Sequence, residues 1–290
     1  MINLVRLAYA AYRRGFASRA RTEVTPVTST IHTPVRGYTD PLAPIRLAIG
    51  NVGRRRPLNG IVSTLTVEDP TGWIPATALT DGSRIDELID AAAHRWNAAP
   101  HVAAALAWKA YSYWAALPAV LGWAAVRRVP LMRPEDILVH LGDHRPVVQI
   151  GLRPGIRVAV LPGDPIWGLT DPDALALAPD KDALLTALRT SLLDAHLTPM
   201  IDALRSRSRI SARTLLGSVA SGVAYGVIDG SATLADQTRR DIATLLNTLG
   251  VSDLVEVNAG AGGLSVQRKT CCLAFTLPEP KVCSGCCLRR

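Results

Sequence analysis

All five cysteines of this 290-residue chain lie within its last twenty residues, and this clustering constrains the chain more than any other feature. They are Cys271, Cys272, Cys283, Cys286 and Cys287. A disulfide framework spreads its cysteines along the chain to close long loops, and it usually follows a secretory signal, which the N-terminus does not convincingly provide. The pattern therefore favours reduced thiols and a cytoplasmic location.

The cysteines follow the spacing C-C-x10-C-x2-C, which is typical of a metal or iron-sulfur site. In the C-x2-C turn, Gly285 gives the backbone the freedom to bring Cys283 and Cys286 to one centre. The adjacent pair could supply two further thiolates. Four thiolates suit either Zn²⁺ or a [2Fe-2S] cluster, and a binuclear cluster accommodates the adjacent pair better because its ligands are divided between two irons. Unliganded thiols at a frayed terminus are the remaining alternative.

Length and composition indicate one large domain or two small ones with a sizeable core. Hydrophobic residues make up 48% of the chain and charged residues 19%, which excludes a disordered or collagen-like protein. The formal net charge of +8 favours acidic partners such as nucleic acid, anionic lipid or an acidic electron-transfer protein. Aromatic residues are not interleaved with the basic ones, which counts against nucleic acid.

The N-terminal part of the chain is basic and rich in loop-forming residues. The first 22 residues contain five arginines and no acid, which predicts a basic amphipathic helix and leaves peripheral membrane contact open. From Thr22 to about Asn59, Pro, Thr and Gly predict a loop or covering arm. We expect a main domain over residues 1–250, loop-rich over 1–60, and a C-terminal cluster-binding segment over residues 251–290.

The apolar stretch Val102–Val126 raises the question of a membrane span. Alanine supplies much of its apolar character, and Pro118 and Gly122 interrupt it. The stretch therefore predicts buried helices rather than a transmembrane segment.

Periodicity changes along the chain from helical to strand-like and back to helical. Three short runs predict antiparallel strands with tight connections: Ile137–Leu141, Val147–Leu152 and Ile156–Leu161. Helices are predicted over Asp81–Ala98, Asp180–Arg205, Ser211–Ile228 and Ala232–Leu249. A flexible loop is predicted over Gly260–Ser265. Together these elements predict an α+β fold, predominantly helical, with a small antiparallel sheet in mid-chain and a C-terminal iron-sulfur cluster segment.

The segment Arg268-Lys269-Thr270-Cys271-Cys272-Leu273, followed by Cys283-Ser284-Gly285-Cys286, resembles the C-terminal signature of the FhuF-type ferric siderophore reductases. In that family, C-C-x10-C-x2-C holds a [2Fe-2S] cluster. Two upstream segments, 196–199 and 215–220, look like the helical region of the family, so the resemblance covers roughly the C-terminal hundred residues.

This resemblance implies an iron-sulfur oxidoreductase that reduces siderophore-bound Fe(III) to Fe(II) by one electron and so releases the iron. Carried over by position, Cys271, Cys272, Cys283 and Cys286 would be the cluster ligands, and hence the catalytic and metal-binding residues. Cys287 stands where the family usually has proline, and it is the alternative to Cys286 as the fourth ligand. The expected partners are a ferric siderophore, for example of the hydroxamate type, and an acidic electron donor such as a ferredoxin or its reductase.

Coordination chemistry and charge agree with this implied reaction. Hard oxygen donors hold Fe³⁺ more tightly than Fe²⁺, so adding one electron weakens a siderophore complex. Residues 268–290 contain five basic residues and one acidic residue, a patch that could dock an acidic donor or attract an anionic ferric siderophore. The alternative, from a different functional class, is a zinc-stabilised binding protein for an anionic ligand or nucleic acid.

Few residues outside the cysteines are candidates for a functional role. His196 lies within an apolar helical stretch, and we interpret it as a structural core histidine rather than a siderophore contact. A second basic cluster could line the substrate surface; its members are Arg205, Arg207, Arg209 and Arg213.

Overall fold

Helices alternate with three small sheets in residues 39–142, 146–231, 234–260 and 262–289, the part of the chain that this computed structural model describes. The helices are α1 (Ala43–Gly53), α2 (Thr77–Thr80), α3 (Ile85–Trp96), α4 (Pro100–Val126), α5 (Lys181–Leu188), α6 (Thr198–Arg207), α7 (Ala212–Gly230) and α8 (Ala235–Leu249). A π-helical stretch, Arg189–Leu197, joins α5 to α6. The strands are β1 (Ile61–Thr66), β2 (Ile74–Pro75), β3 (Val129–Pro130), β4 (Ile137–Leu141), β5 (Val148–Leu152), β6 (Val158–Val160), β7 (Leu175–Leu177), β8 (Val255–Gly260) and β9 (Gly263–Arg268). The predicted α+β class, predominantly helical, is confirmed.

Helix α4 is buried along most of its length and lies at the centre of the core. Its apolar residues occur on all faces, which is the pattern of a helix surrounded by protein. The prediction of burial is confirmed, but Pro118 does not divide the stretch, which forms one continuous helix of 27 residues. Within the described ranges, no helix combines the length and the apolar content that a membrane crossing requires.

Helix α7 packs closely against α4 because glycines lie at the contact. A Cβ added at Gly222 would lie 3.4 Å from Cα of Tyr113, and one added at Gly226 would lie 3.4 Å from the side chains of Leu117 and Val120. The indole Nε1 of Trp108 on α4 also donates a hydrogen bond of 2.7 Å to the carbonyl oxygen of Leu215 on α7. The two helices therefore form a single packed unit.

Two mixed sheets take the place of the single antiparallel sheet predicted in mid-chain. Strands β4 and β5 pair antiparallel as predicted, with Val139 opposite Ile150. On its side away from β4, strand β5 pairs in parallel with β1. Neither edge of β5 is therefore available for pairing with β6. Strand β6 instead joins a second sheet, antiparallel to β3 and parallel to β7. The prediction was wrong about this third strand because β1, which is distant in sequence, occupies the edge of β5 that β6 was expected to join.

Three further predictions can be compared with the structure. The loop predicted from Thr22 to Asn59 contains helix α1, whose apolar residues Ile45, Ile49 and Val52 are buried. Of the loop predicted at Gly260–Ser265, Gly260 ends β8 and residues 263–265 belong to β9, so these residues are paired strands. The three C-terminal helical regions are confirmed. The basic helix predicted over the first 22 residues lies outside the described residues, and the division of the chain at residue 250 remains a prediction.

A polar pair is buried where the π-helical stretch meets α4. The hydroxyl of Tyr111 lies 2.5 Å from Nε2 of His196, whose Nδ1 lies 3.0 Å from the carbonyl oxygen of Met132. Since a carbonyl only accepts, Nδ1 carries the proton and Nε2 accepts from the tyrosine. Burial lowers the pKa of His196 to about 4, against the smaller opposing effect of the Met132 hydrogen bond. The interpretation of His196 as a structural residue is confirmed.

This buried histidine predicts a loss of stability on acidification. The unfolded state takes up a proton near pH 6.5 but folded His196 only near pH 4, so lowering the pH through this range favours unfolding. Between pH 7 and pH 4.5, His196 should account for roughly 2 to 3 kcal/mol of lost unfolding free energy. Urea unfolding of wild type and His196→Gln at both pH values measures this. The stability difference between the two proteins should shrink at pH 4.5, and a difference independent of pH would contradict the assignment.

Candidate functional site

The cysteine segment begins directly after β9 and folds back onto that strand. The backbone N–H of Arg268 donates to the carbonyl oxygen of Gly285 at 2.9 Å. The side-chain amide of Gln267 donates to the carbonyl oxygens of Cys286 and Arg289, at 2.7 and 3.0 Å. These bonds attach the C-x2-C turn to β9, next to the strand end from which the adjacent cysteines leave.

The C-x2-C turn requires a glycine at position 285 because there is no space for a Cβ atom there. A Cβ at this position would collide with the carbonyl oxygen of Val266 and lie 2.7 Å from the hydroxyl of Tyr225. Its φ is not in the left-handed region, so the conformational freedom expected from the sequence is not what the turn uses. The N–H of Cys286 donates to the carbonyl oxygen of Cys283 at 3.1 Å, which closes the turn.

Helix α7 and a left-handed residue position the adjacent cysteines. Thr270 packs so closely on Gly217 of α7 that a Cβ there would collide with its side chain. After the pair, Leu273 adopts a left-handed conformation with φ of 62°. Its N–H then points back and lies 3.3 Å from Sγ of Cys271, as a hydrogen-bond donor to sulfur.

The five thiols are neighbours, and none forms a disulfide. Cys272 and Cys286 are buried, and the other three are half-buried. Burial raises the pKa of Cys287 to about 11, and its neighbours Cys271 and Cys286, to which it is hydrogen bonded, raise it further. Burial also raises the pKa of Cys283, with Cys272 and Cys286 adding to the effect and Lys109 opposing it. Electrostatic interactions thus link Cys283 to Cys272 and Cys286, and Cys287 to Cys271 and Cys286.

Two cationic side chains, Lys109 and Arg268, lie beside the thiols. Neither forms an ion pair with a carboxylate in the described part of the chain. Nζ of Lys109 lies 4.0 Å from Sγ of Cys272. Arg268 is only 3% exposed; one terminal nitrogen donates to Ser218 at 3.0 Å, but Nε and the other terminal nitrogen have no hydrogen-bond partner. Across the described ranges, no three His, Cys, Asp or Glu side chains converge closely enough to hold a metal ion.

A cavity of about 600 Å³ opens beside the C-x2-C turn. Its polar lining includes Cys283, Ser218 and Ser221, and its cations are Arg56, Lys109, Arg268 and Lys281. Aromatic rings of Trp96, Tyr113 and Tyr225 form part of the wall, and no aspartate or glutamate of the described residues lines it. Sequence patterns did not identify Arg56 or Lys109, because both are distant from the cysteines along the chain.

The second basic cluster predicted from the sequence lies elsewhere. Arg205 pairs with Asp202, Arg207 with Asp86 and Arg213 with Asp253, all at the protein surface. None of these arginines, nor Arg209, lines the cavity beside the cysteines.

Comparison with known protein families gives a match over the middle of the chain. Residues 106–246 match the family described as ferric iron reductase FhuF-like transporter. The match runs from within α4 to within α8, and the cysteine motif lies beyond it. The predicted FhuF-type resemblance is confirmed. No curated protein matches the chain.

The crowding at Gly285 makes a prediction that does not depend on function. Gly285→Ala should lower the free energy of unfolding by about 1 to 3 kcal/mol, because the added methyl group meets a strand carbonyl oxygen that cannot rotate away. Gly163→Ala is the matched control, since a Cβ there has no neighbour within 4 Å and the backbone is not left-handed. Thermal or urea unfolding distinguishes them, and equal stability of the two variants would contradict the packing described for the turn.

Proposed function

From the match of residues 106–246 to the FhuF-like ferric iron reductase family, we propose that this chain reduces siderophore-bound Fe(III) to Fe(II). Cys271, Cys272, Cys283 and Cys286 would hold a [2Fe-2S] cluster that would supply the electron, and the released Fe(II) would become available to the cell. Residues 251–290 form the cluster-binding segment, and the protein acts in the cytoplasm. The observation that carries the proposal is the gathering of these thiols beside two cations that lack carboxylate partners.

The donor set fits a binuclear cluster better than a single metal ion. Thiolates are the usual ligands of iron-sulfur clusters, and a [2Fe-2S] centre divides them between two irons. Cys272 and Cys286 are buried, and the C-x2-C turn holds Cys283 at the cavity wall.

Charge also fits the cluster. A centre with four thiolate ligands carries net negative charge, and a buried guanidinium without a counter-ion is destabilised by several kcal/mol. Arg268 is such a guanidinium, with two nitrogens free to donate, and Lys109 lies beside Cys272. The cluster would provide the anionic partner that these two cations lack.

The residues around the cysteines have identifiable roles in this reaction. The bound cluster would supply one-electron transfer at a potential set by its ligands and surroundings. The Leu273 N–H that donates to Sγ of Cys271 would orient this sulfur as a ligand. The raised pKa of Cys283 and of Cys287 means that both thiols are protonated at neutral pH without metal, so a ligand thiol gives up its proton on loading.

The electron donor is proposed to be an acidic protein such as a ferredoxin or its reductase. Lys281 and Arg289 are exposed on the cysteine segment, on either side of the C-x2-C turn. Positive charge at the surface near a redox centre raises the rate at which a negatively charged donor docks.

The presence of the cluster is tested on anaerobically prepared protein by absorption, by electron paramagnetic resonance before and after dithionite, and by counting iron, sulfide and zinc. We expect iron and sulfide in equal amounts and a paramagnetic signal that appears on reduction. Cys272→Ser and Cys283→Ser should each lose the visible absorption and the reductase activity together. Stoichiometric zinc without sulfide would support the zinc-stabilised binding protein instead. Reductase activity that survives loss of the cluster would contradict electron transfer through it.

The identity of the fourth ligand is a separate prediction. Cys286 is buried, and its N–H closes the turn on Cys283, whereas Cys287 is half-buried and follows the turn. We expect Cys286→Ser to remove most of the bound iron and Cys287→Ser to retain most of it. Iron and sulfide counts on the two variants, prepared side by side, decide this, and the reverse result would make Cys287 the ligand.

A further inference from the structure

We propose that the cavity beside Cys283 binds the ferric chelate, and that its positive lining selects chelates with net negative charge. This inference rests on the proposed function, and it adds the location of the substrate and its charge class. The cavity, at about 600 Å³, lies within the range of small-molecule sites, which is about 300 to 1,000 Å³.

The walls of the cavity suit an organic ligand with a polar centre. Trp96, Tyr113 and Tyr225 provide aromatic surfaces, and Leu106 and Leu277 provide aliphatic ones. The hydroxyls of Ser218 and Ser221 also line it. Such a mixture of apolar walls and few polar groups is the usual composition of a ligand site.

The charges of the lining are all positive, and they divide into two pairs. Lys109 and Arg268 also interact with the thiols, so these two cations would offset the negative charge of the cluster. Arg56 and Lys281 remain on the cavity side. Arg56 pairs with Asp229, which is not part of the lining, whereas Lys281 has no ion pair within the described residues. Lys281 is therefore the lining cation most available to a ligand.

The position of Cys283 connects this cavity to the redox centre. Of the five cysteines, all of which the structure describes, Cys283 alone lines the cavity. A chelate bound there would contact the edge of the cluster site at this cysteine, and its iron would not need to leave the chelate before accepting the electron.

The experiment uses one linear trihydroxamate chelator whose terminal amine is left free, acetylated or succinylated. The complexes carry one positive charge, no net charge or one negative charge around the same metal centre. With Ga³⁺ in place of Fe³⁺ they cannot be reduced, so quenching of tryptophan fluorescence reports binding alone. We expect affinity to rise from the positive to the negative complex, and the difference to fall as salt is added.

Two lysine variants assign the charge preference to the cavity. Lys281→Met should weaken binding of the negative gallium complex about three- to fivefold and leave the neutral one within about twofold, as expected for an exposed charge pair. Lys181→Met is the matched control, because Lys181 is exposed at the start of α5 and does not line the cavity. Equal binding of the three complexes, no binding of any, or equal effects of the two variants would each overturn the proposal. Charge-dependent, Lys281-dependent binding of gallium complexes without reduction of the ferric ones would support this site and contradict the reductase function.

Discussion

The close packing of helix α7 is the constraint on which the rest of the structure depends. Gly222 and Gly226 let this helix lie against α4, and Gly217, on a different face, receives Thr270 just before the first cysteine. Ser218 and Tyr225 of the same helix bond to Arg268 and to the carbonyl oxygen of Val266 in β9. One helix therefore links the central core to the segment that carries all five cysteines. A larger side chain at these contacts would move the cysteines relative to the cavity as well as loosen the core.

Two buried arginines, Arg128 in the core of the fold and Arg268 beside the thiols, differ in how their charge is paired. Arg128 is nearly buried, and Asp164 accepts two hydrogen bonds from it, at 2.7 and 2.6 Å. Such pairing is the usual way to keep a charge in a protein interior. Arg268 is buried at least as deeply, yet it has a single hydroxyl partner and no carboxylate in the described residues. The chain thus pairs one buried arginine with a carboxylate and leaves the other, beside the thiols, without one, and the proposed cluster would supply the missing negative charge.

The sequence predicted local features well and contacts between distant segments poorly. The spacing of the cysteines and the helical periods depend on neighbouring residues, and both the helices and the proximity of the thiols are found in the structure. Strand β6 was assigned to the wrong sheet because β1, far from it in sequence, pairs with β5. Lys109 was not recognised because it is 163 residues from Cys272. No periodicity encodes such a contact. The reason for a glycine at position 285 was likewise not visible in the sequence, because the atoms that exclude a side chain there belong to β9 and α7.

Helix α4 shows how a core element can fix the geometry of a site at its surface. Trp108 and Tyr111 point into the core and are held by Leu215 and His196, so the helix cannot rotate without breaking two buried hydrogen bonds. Lys109 lies between them in sequence and faces the cysteines, and Tyr113, about one turn after Lys109, lines the cavity. The side chains that face the thiols and the cavity are thus placed by a rigid scaffold rather than by a mobile loop. Preorganisation of this kind lowers the reorganisation needed when charge changes, which is what the proposed one-electron transfer would require of this site.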